Sequence, residues 1–125
     1  MDAYDPLEVP DPAEWLALDE YDRIELVVRY HLRERERLPD LRVHAVIHAI
    51  VENQNALGDE IPVRRTLMRL MEEGLTRHEA LHAVGGLLAE HMFDSIKEGT
   101  SAGDPNERYR AALENLTAKN WRHPR

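Results

Sequence analysis

The sequence predicts an all-α protein, a single-domain bundle of four to five helices with short connections. Three observations carry this expectation. Apolar residues recur at three- and four-residue spacing in successive windows of the chain. Helix-start signatures stand in front of several of those windows. No segment alternates at period two with β-branched enrichment, so no strand is expected.

Taken in order, residues 1–10, with Pro6 and Pro10 among acids, read as an acidic extended tail. Asp11-Pro12-Ala13-Glu14 places Asp at the N-cap, Pro at the first helical position and Glu at the third, and a short turn carrying Trp15, Leu16 and Leu18 follows. From about Asp19 to Arg37, Ile24, Val27, Val28 and Leu32 recur at helical spacing beside a densely charged face. That charge run, ending in Arg33 to Arg37, is a solvated face. Leu38-Pro39-Asp40 breaks this helix, and Asp40 caps the next, about Leu41 to Leu57, with Gly58 at its end. Pro62 opens a further helix with Val63, Leu67, Leu70 and Met71 on one face, and Gly74 ends it. Thr76-Arg77-His78-Glu79 is a capping box for a long helix to about Glu98. The stretch Gly99 to Gly103 is a flexible joint, and Asp104-Pro105-Asn106-Glu107 starts a last helix carrying Tyr109, Ala112, Leu113 and Leu116 towards Trp121. The organisation is thus a tail over 1–10, a helical bundle over 11–98, and the joint with its C-terminal helix over 99–125. Trp15 and Trp121 are expected to anchor terminal segments.

Composition narrows the function. The chain has 125 residues, 24 acidic and 16 basic side chains, and a formal net charge of −8. Eight of the acids precede Asp22 or are Asp22 itself, with no Lys or Arg among them, so the rest of the chain is charge-balanced. A phosphate-binding protein needs a basic surplus, and no nucleic-acid partner is expected. Val43 to Val51, the most apolar run, is far shorter than the ~20 residues of a membrane-spanning helix. No signal peptide is recognisable, and a cytoplasmic location is the default. Without cysteine there is no disulfide, thiolate site or cysteine nucleophile, so any metal must be held by nitrogen and oxygen.

Five of the seven histidines fall between positions 44 and 91. His44-x3-His48 and His78-x3-His82 each place two imidazoles one turn apart on a helix face, the spacing by which a helix gives two ligands to one ion. A helical projection puts each pair along the edge of an apolar face: Val43, Val46, Ile47, Ile50 and Val51 on one helix, Leu81, Val84, Leu88 and Met92 on the other. Gly85 and Gly86 cost roughly 1 kcal/mol each inside a helix relative to alanine, and a close approach by another helix accounts for them. The candidate ligands are therefore His44, His48, His78 and His82, for a divalent transition metal, Zn or Fe first. Glu52, which continues the first ladder, and Glu79 are the candidate bases if the site is catalytic. His91 projects to the polar side, and His31 and His123 look incidental.

Other readings of the same residues stand beside this one. His78-Glu79-Ala80-Leu81-His82 matches H-E-x-x-H, but a metalloprotease places that motif deep in a helix beside a strand, and Leu88 stands where a third histidine is required. Glu79-x-x-His82 fits the Glu-x-x-His of di-iron bundles, which one chain completes only as a symmetric dimer. As the third residue of a capping box, Glu79 is explained without any metal. The histidines can equally be structural or pH-sensing groups at a core boundary.

His44-Ala45-Val46-Ile47-His48 followed by Glu52-Asn53-Gln54, the proline-led helix from Pro62, and His78 to His82 with Leu88-Ala89-Glu90 resemble an uncharacterised bacterial domain family. The resemblance covers roughly residues 41–95. It implies a small helical protein with paired HxxxH helices and carries no activity. In that family the acid and the amide are expected side by side, whereas Asn53 separates Glu52 from Gln54 here. The sequence thus points to a small helical protein with a His-rich metal site between two helices. The competing class is a non-enzymatic interaction or oligomerisation module, with a homodimer as its simplest form.

Overall fold

A computed structural model describes residues 1–34, 40–58, 62–98 and 105–123. Its described residues are helical with no strand, in the order α1 (Pro12–Ala17), α2 (Glu20–Arg33), α3 (Leu41–Ala56), α4 (Val63–Glu72), α5 (Arg77–Glu98), α6 (Pro105–Asn115) and α7 (Ala118–Arg122). Seven helices therefore replace the expected four to five. The additions are two short ones, each with its own cap. The Asp11 carboxylate accepts from the amides of Ala13 and Glu14 to start α1, and Thr117 and Asn120 form a reciprocal capping box at α7. Longer helices start as anticipated: Asp19 caps α2, Asp40 caps α3, and Thr76 with Glu79 brackets α5. Gly58 and Gly74 end α3 and α4 at φ +80° and +106°, a conformation most side chains resist. The end of the charge run at 35–37, the break at 38–39 and the joint at 99–103 with its Asp104 cap lie outside the described residues.

Helix α3 is the hub and packs against α1, α2, α4 and α5. One core joins Val51 of α3 to Val63, Leu67 and Leu70 of α4, Leu81, Val84 and Leu88 of α5, and Tyr109 and Leu113 of α6. A second joins Ala45 and Ala49 of α3 to Leu26 and Val27 of α2, Trp15 of α1, and Tyr4. Trp15 is buried, as an anchor should be, and its indole N–H donates to Asn53 Oδ1 at 2.8 Å.

Two helices are rotated from the faces that their apolar residues suggest. On α2, Leu26, Val27 and His31 are buried while Leu32 is 61% exposed. On α3, Val43 is 57% exposed, and the buried stripe is Ala45, His48, Ala49, Val51, Glu52 and Asn55. Glu52 and one histidine of the ladder thus lie in the middle of the buried face, not at its edge. On α5 the expected face is observed except that Met92 is exposed. Gly85 is where α3 approaches, since a Cβ there would meet Ile47 Cγ2 at 3.3 Å. Gly86 has no such neighbour, so the close approach accounts for only one of the two glycines.

Residues 1–10 contain no helix, yet they are held against the body. Tyr4 is 1% exposed and Pro6 is buried. The Arg77 guanidinium donates to the carbonyls of Pro6 and Glu8 at 3.0 and 3.2 Å. Tyr4 and the backbone carbonyls of Pro6 and Glu8 hold this acidic segment against the body.

Candidate metal centre

The histidines come together where α2, α3 and α5 meet. One nitrogen each from His31, His48, His78 and His82 forms a set whose members all lie within 4.8 Å of one another. His31 and His48 are buried, and His78 and His82 half-buried. A tetrahedral ion with bonds of about 2.1 Å holds its nitrogens about 3.4 Å apart. Helix α5 supplies two of the four from one turn, with ring centroids 4.3 Å apart. The ring of His48 lies 5.7 and 6.1 Å from His78 and His82, so the paired helices do face each other with their histidines.

His31, incidental by its sequence context, lies inside the four-nitrogen set. Its position four residues after the buried Val27 is the one signal that pointed inward. His44 lies beside the set, with its ring centroid 4.7 Å from His31 and 4.9 Å from His82. His91 is elsewhere, stacked on Tyr109 at 5.1 Å, and His123 is exposed.

Hydrogen bonds assign the protons on two of the four rings. His31 Nδ1 lies 2.8 Å from the Val27 carbonyl, which can only accept, so Nδ1 carries the proton and Nε2 keeps its lone pair. His48 Nε2 lies 2.8 Å from the Tyr4 hydroxyl, and that hydroxyl lies 2.5 Å from Glu52 Oε2. The carboxylate only accepts, so the phenol gives it its single proton and receives one from His48 Nε2–H. The lone pair of His48 is therefore on Nδ1. That atom and Nε2 of His78 are buried with no hydrogen-bond partner among the described residues. A buried polar group left in this state costs about 1–3 kcal/mol, and metal ligation removes that cost.

The relay continues beyond Glu52. Arg77 donates to both carboxylate oxygens at 2.8 Å, and the two side chains are almost completely buried. Burial opposes the charged form of Arg77, but the hydrogen bonds and charge of Glu52 outweigh it and raise its pKa from the ordinary arginine value. Burial, with the Glu52 charge and hydrogen bond behind it, pushes the Tyr4 hydroxyl well above its usual range, so it stays a phenol. Arg77–Glu52–Tyr4–His48 is thus a chain of no net charge that orients the His48 ring.

Burial also lowers the pKa of His48 well below the ordinary histidine value, with His31, His78, His82 and His44 adding to the effect. His78 is lowered by burial and by His31 and His44, against a smaller opposing pull from Asp5 and Glu79. Both rings are neutral at pH 7, the form that binds a metal.

The two candidate bases have other partners. Glu52 is committed to Arg77 and Tyr4. Glu79 accepts from the Thr76 amide at 2.9 Å while its own amide donates to Thr76 Oγ1 at 3.1 Å, and the Thr76 amide is the main reason its carboxyl is held below the usual range. The H-E-x-x-H and Glu-x-x-His matches thus reduce to two histidines and a capping residue. The residues after Glu52 divide among separate tasks: Asn53 Oδ1 receives Trp15 and Arg23, and Gln54 Oε1 receives the Tyr109 hydroxyl. Comparison with family models, curated proteins and solved structures finds no match for this chain. Among the described residues no helix is long and apolar enough to cross a membrane.

Proposed function

We propose that this protein binds one divalent transition metal ion between α2, α3 and α5, with His31, His48, His78 and His82 as its ligands. The observation that carries the reading is the set of four ring nitrogens within 4.8 Å, drawn from three helices. Its support is the relay behind His48 and the Val27 carbonyl behind His31, each of which turns a lone pair away from its own hydrogen bond. Four imidazoles and no thiolate suit Zn, Fe, Ni or Cu rather than Mg or Ca. An imidazole donates to a metal as an uncharged ligand, so four of them leave the ion its full double charge.

The test is metal analysis of untagged protein, stripped by chelator and titrated with Zn or Co. Stoichiometric binding is expected in the wild type and in His91→Ala, with loss in His31→Ala and in His48→Ala/His82→Ala. Circular dichroism reports whether each variant is folded. A folded wild type that takes up none of these metals and shows no thermal shift on their addition overturns the reading. Full binding by His31→Ala would restore the original quartet with His44 in its place.

A further inference from the structure

The second half of α5 is covered on one side only. Val84 and Leu88 are buried, whereas Gly86, Ala89, Phe93 and Ile96 are exposed, Phe93 by 64% and Ile96 by 83%. These four follow one another at spacings of three, four and three residues, the a and d spacing of a coiled-coil seam, and none carries a charge. Met92, 39% exposed, runs along the edge of the seam. Its residues are graded in size, with Gly86 and Ala89 at one end and Phe93 and Ile96 at the other. The small end is recessed. Gly86 is the shared rim of two hollows, one of about 270 Å³ between α3 and α5 and one of about 480 Å³ between α5, α6 and α7. Ile47 and Leu81 give the first its apolar wall, and Leu116 and Trp121 do so for the second. A Cβ at Gly86 would meet nothing within 4 Å, so nothing among the described residues calls for glycine there. Glycine inside a helix is less stable than alanine, and a second helix crossing at that point is what requires it.

We infer that this face of α5 is the contact surface of a symmetric dimer, in which two copies of the chain cross their α5 helices antiparallel about a two-fold axis at the level of His91. In an antiparallel seam an a position faces a d position of the other helix. That register sets Gly86 opposite Ile96 of the second copy and Ala89 opposite Phe93 of the second copy, so every layer joins a small residue to a large one. Phe93 and Ile96 of one copy then cover the hollows that flank Gly86 of the other. A parallel pairing would put Phe93 on Phe93 and Gly86 on Gly86, which leaves a void at one end of the seam. The area agrees with this occupant. Met92, Phe93 and Ile96 leave on the order of 350 Å² of apolar surface per copy, and the hollows beside Gly86 bring it to about 500 Å². A homodimer interface of standard size buries about 800 Å² per partner, roughly 65% of it apolar, which is the same quantity. Single exposed apolar residues are ordinary on a protein surface, but a contiguous patch of this size marks an interface. The dimer does not depend on the metal.

Sedimentation velocity of the untagged full chain in the presence of a chelator, from about 5 to about 300 μM, reads the association, and a dimer with a Kd in the micromolar range is expected. Phe93→Asp places a charge in the seam and should raise the Kd about a hundredfold or more. Gly86→Ile fills the recess and should weaken the dimer by a similar factor, although its Cβ has room in the single chain. Gly86→Ile/Ile96→Ala exchanges large and small across one layer, and should return the Kd to within about tenfold of the wild type, as a compensating pair does. Circular dichroism of each variant at low concentration reports that the helical fold is kept. A wild type that stays monomeric at the highest concentration overturns the inference and leaves this face to a different protein. A dimer that forms only on addition of metal, or one that survives both Phe93→Asp and Gly86→Ile, overturns it as well. A double variant no tighter than Gly86→Ile alone overturns the antiparallel register.

Discussion

Replacing Tyr4 by Phe removes one oxygen atom and leaves the ring, which packs 5.7 Å from Trp15, 6.2 Å from Tyr30 and 5.4 Å from His48 between centroids. Two buried hydrogen bonds are lost with that oxygen. Glu52 keeps both bonds from Arg77, so its charge remains paired. His48 does not fare as well, because its Nε2–H loses its acceptor. Stranding one buried donor costs about 1–3 kcal/mol, which in a chain of this size is a Tm drop on the order of 4–10 °C. Moving the proton to Nδ1 relieves Nε2 but blocks the atom assigned to the metal. Metal affinity is therefore expected to fall about 10- to 100-fold, the usual cost of losing an outer partner of a ligand. Thermal unfolding of the metal-free protein measures the first effect, and competitive titration against a chelating dye measures the second. A variant that loses stability but binds metal with unchanged affinity would show that Tyr4 merely packs, and would refute the relay as a ligand-orienting device.

Three further outcomes follow from the same geometry. Arg77→Met leaves Glu52 buried without a cation and frees the carbonyls of Pro6 and Glu8; a loss of about 3–5 kcal/mol in urea unfolding is expected, with faster proteolysis of residues 1–10, and a loss under about 1 kcal/mol would contradict the burial of this pair. Glu79→Ala removes half of a capping box and should cost about 1 kcal/mol with metal affinity unchanged; loss of metal binding would return Glu79 to the site. The metal-free protein should be destabilised by mild acid: His48 and His78 have lowered pKa values in the fold, so below the ordinary value near 6.5 the unfolded chain takes up protons that the native state refuses. Stability is then level above about pH 7 and falls between about 6.5 and 5, by at most about 1.4 kcal/mol per pH unit for each group. Glu73 and Glu79, whose pKa values are lowered, contribute only below the ordinary carboxylate range, so they do not obscure that window. Urea midpoints measured from pH 8 to 5 check this, and a flat profile would mean that these rings are not held neutral.

By itself the sequence determined what is local: the helix starts at Asp11, Asp19, Asp40 and Thr76, the stops at Gly58 and Gly74, and the one-turn spacing of His44 with His48 and of His78 with His82. These depend on residues within a turn or two of each other, and capping chemistry and helical periodicity decide them. Only the tertiary structure decided how far each helix turns about its own axis. Helix α3 carries apolar residues around much of its circumference, so periodicity left its azimuth open, and packing buried His48 and Glu52 in place of Val43. The same rotation on α2 turned Leu32 out and His31 in. Pairings across long separations, Tyr4 with His48 and Glu52 with Arg77, have no local signal, since each residue satisfies its own helix or strand-less segment equally well without the other. What selects them is the cost of burying a charge or an imidazole unpartnered, and that cost exists only once α2, α3 and α5 have closed on one another.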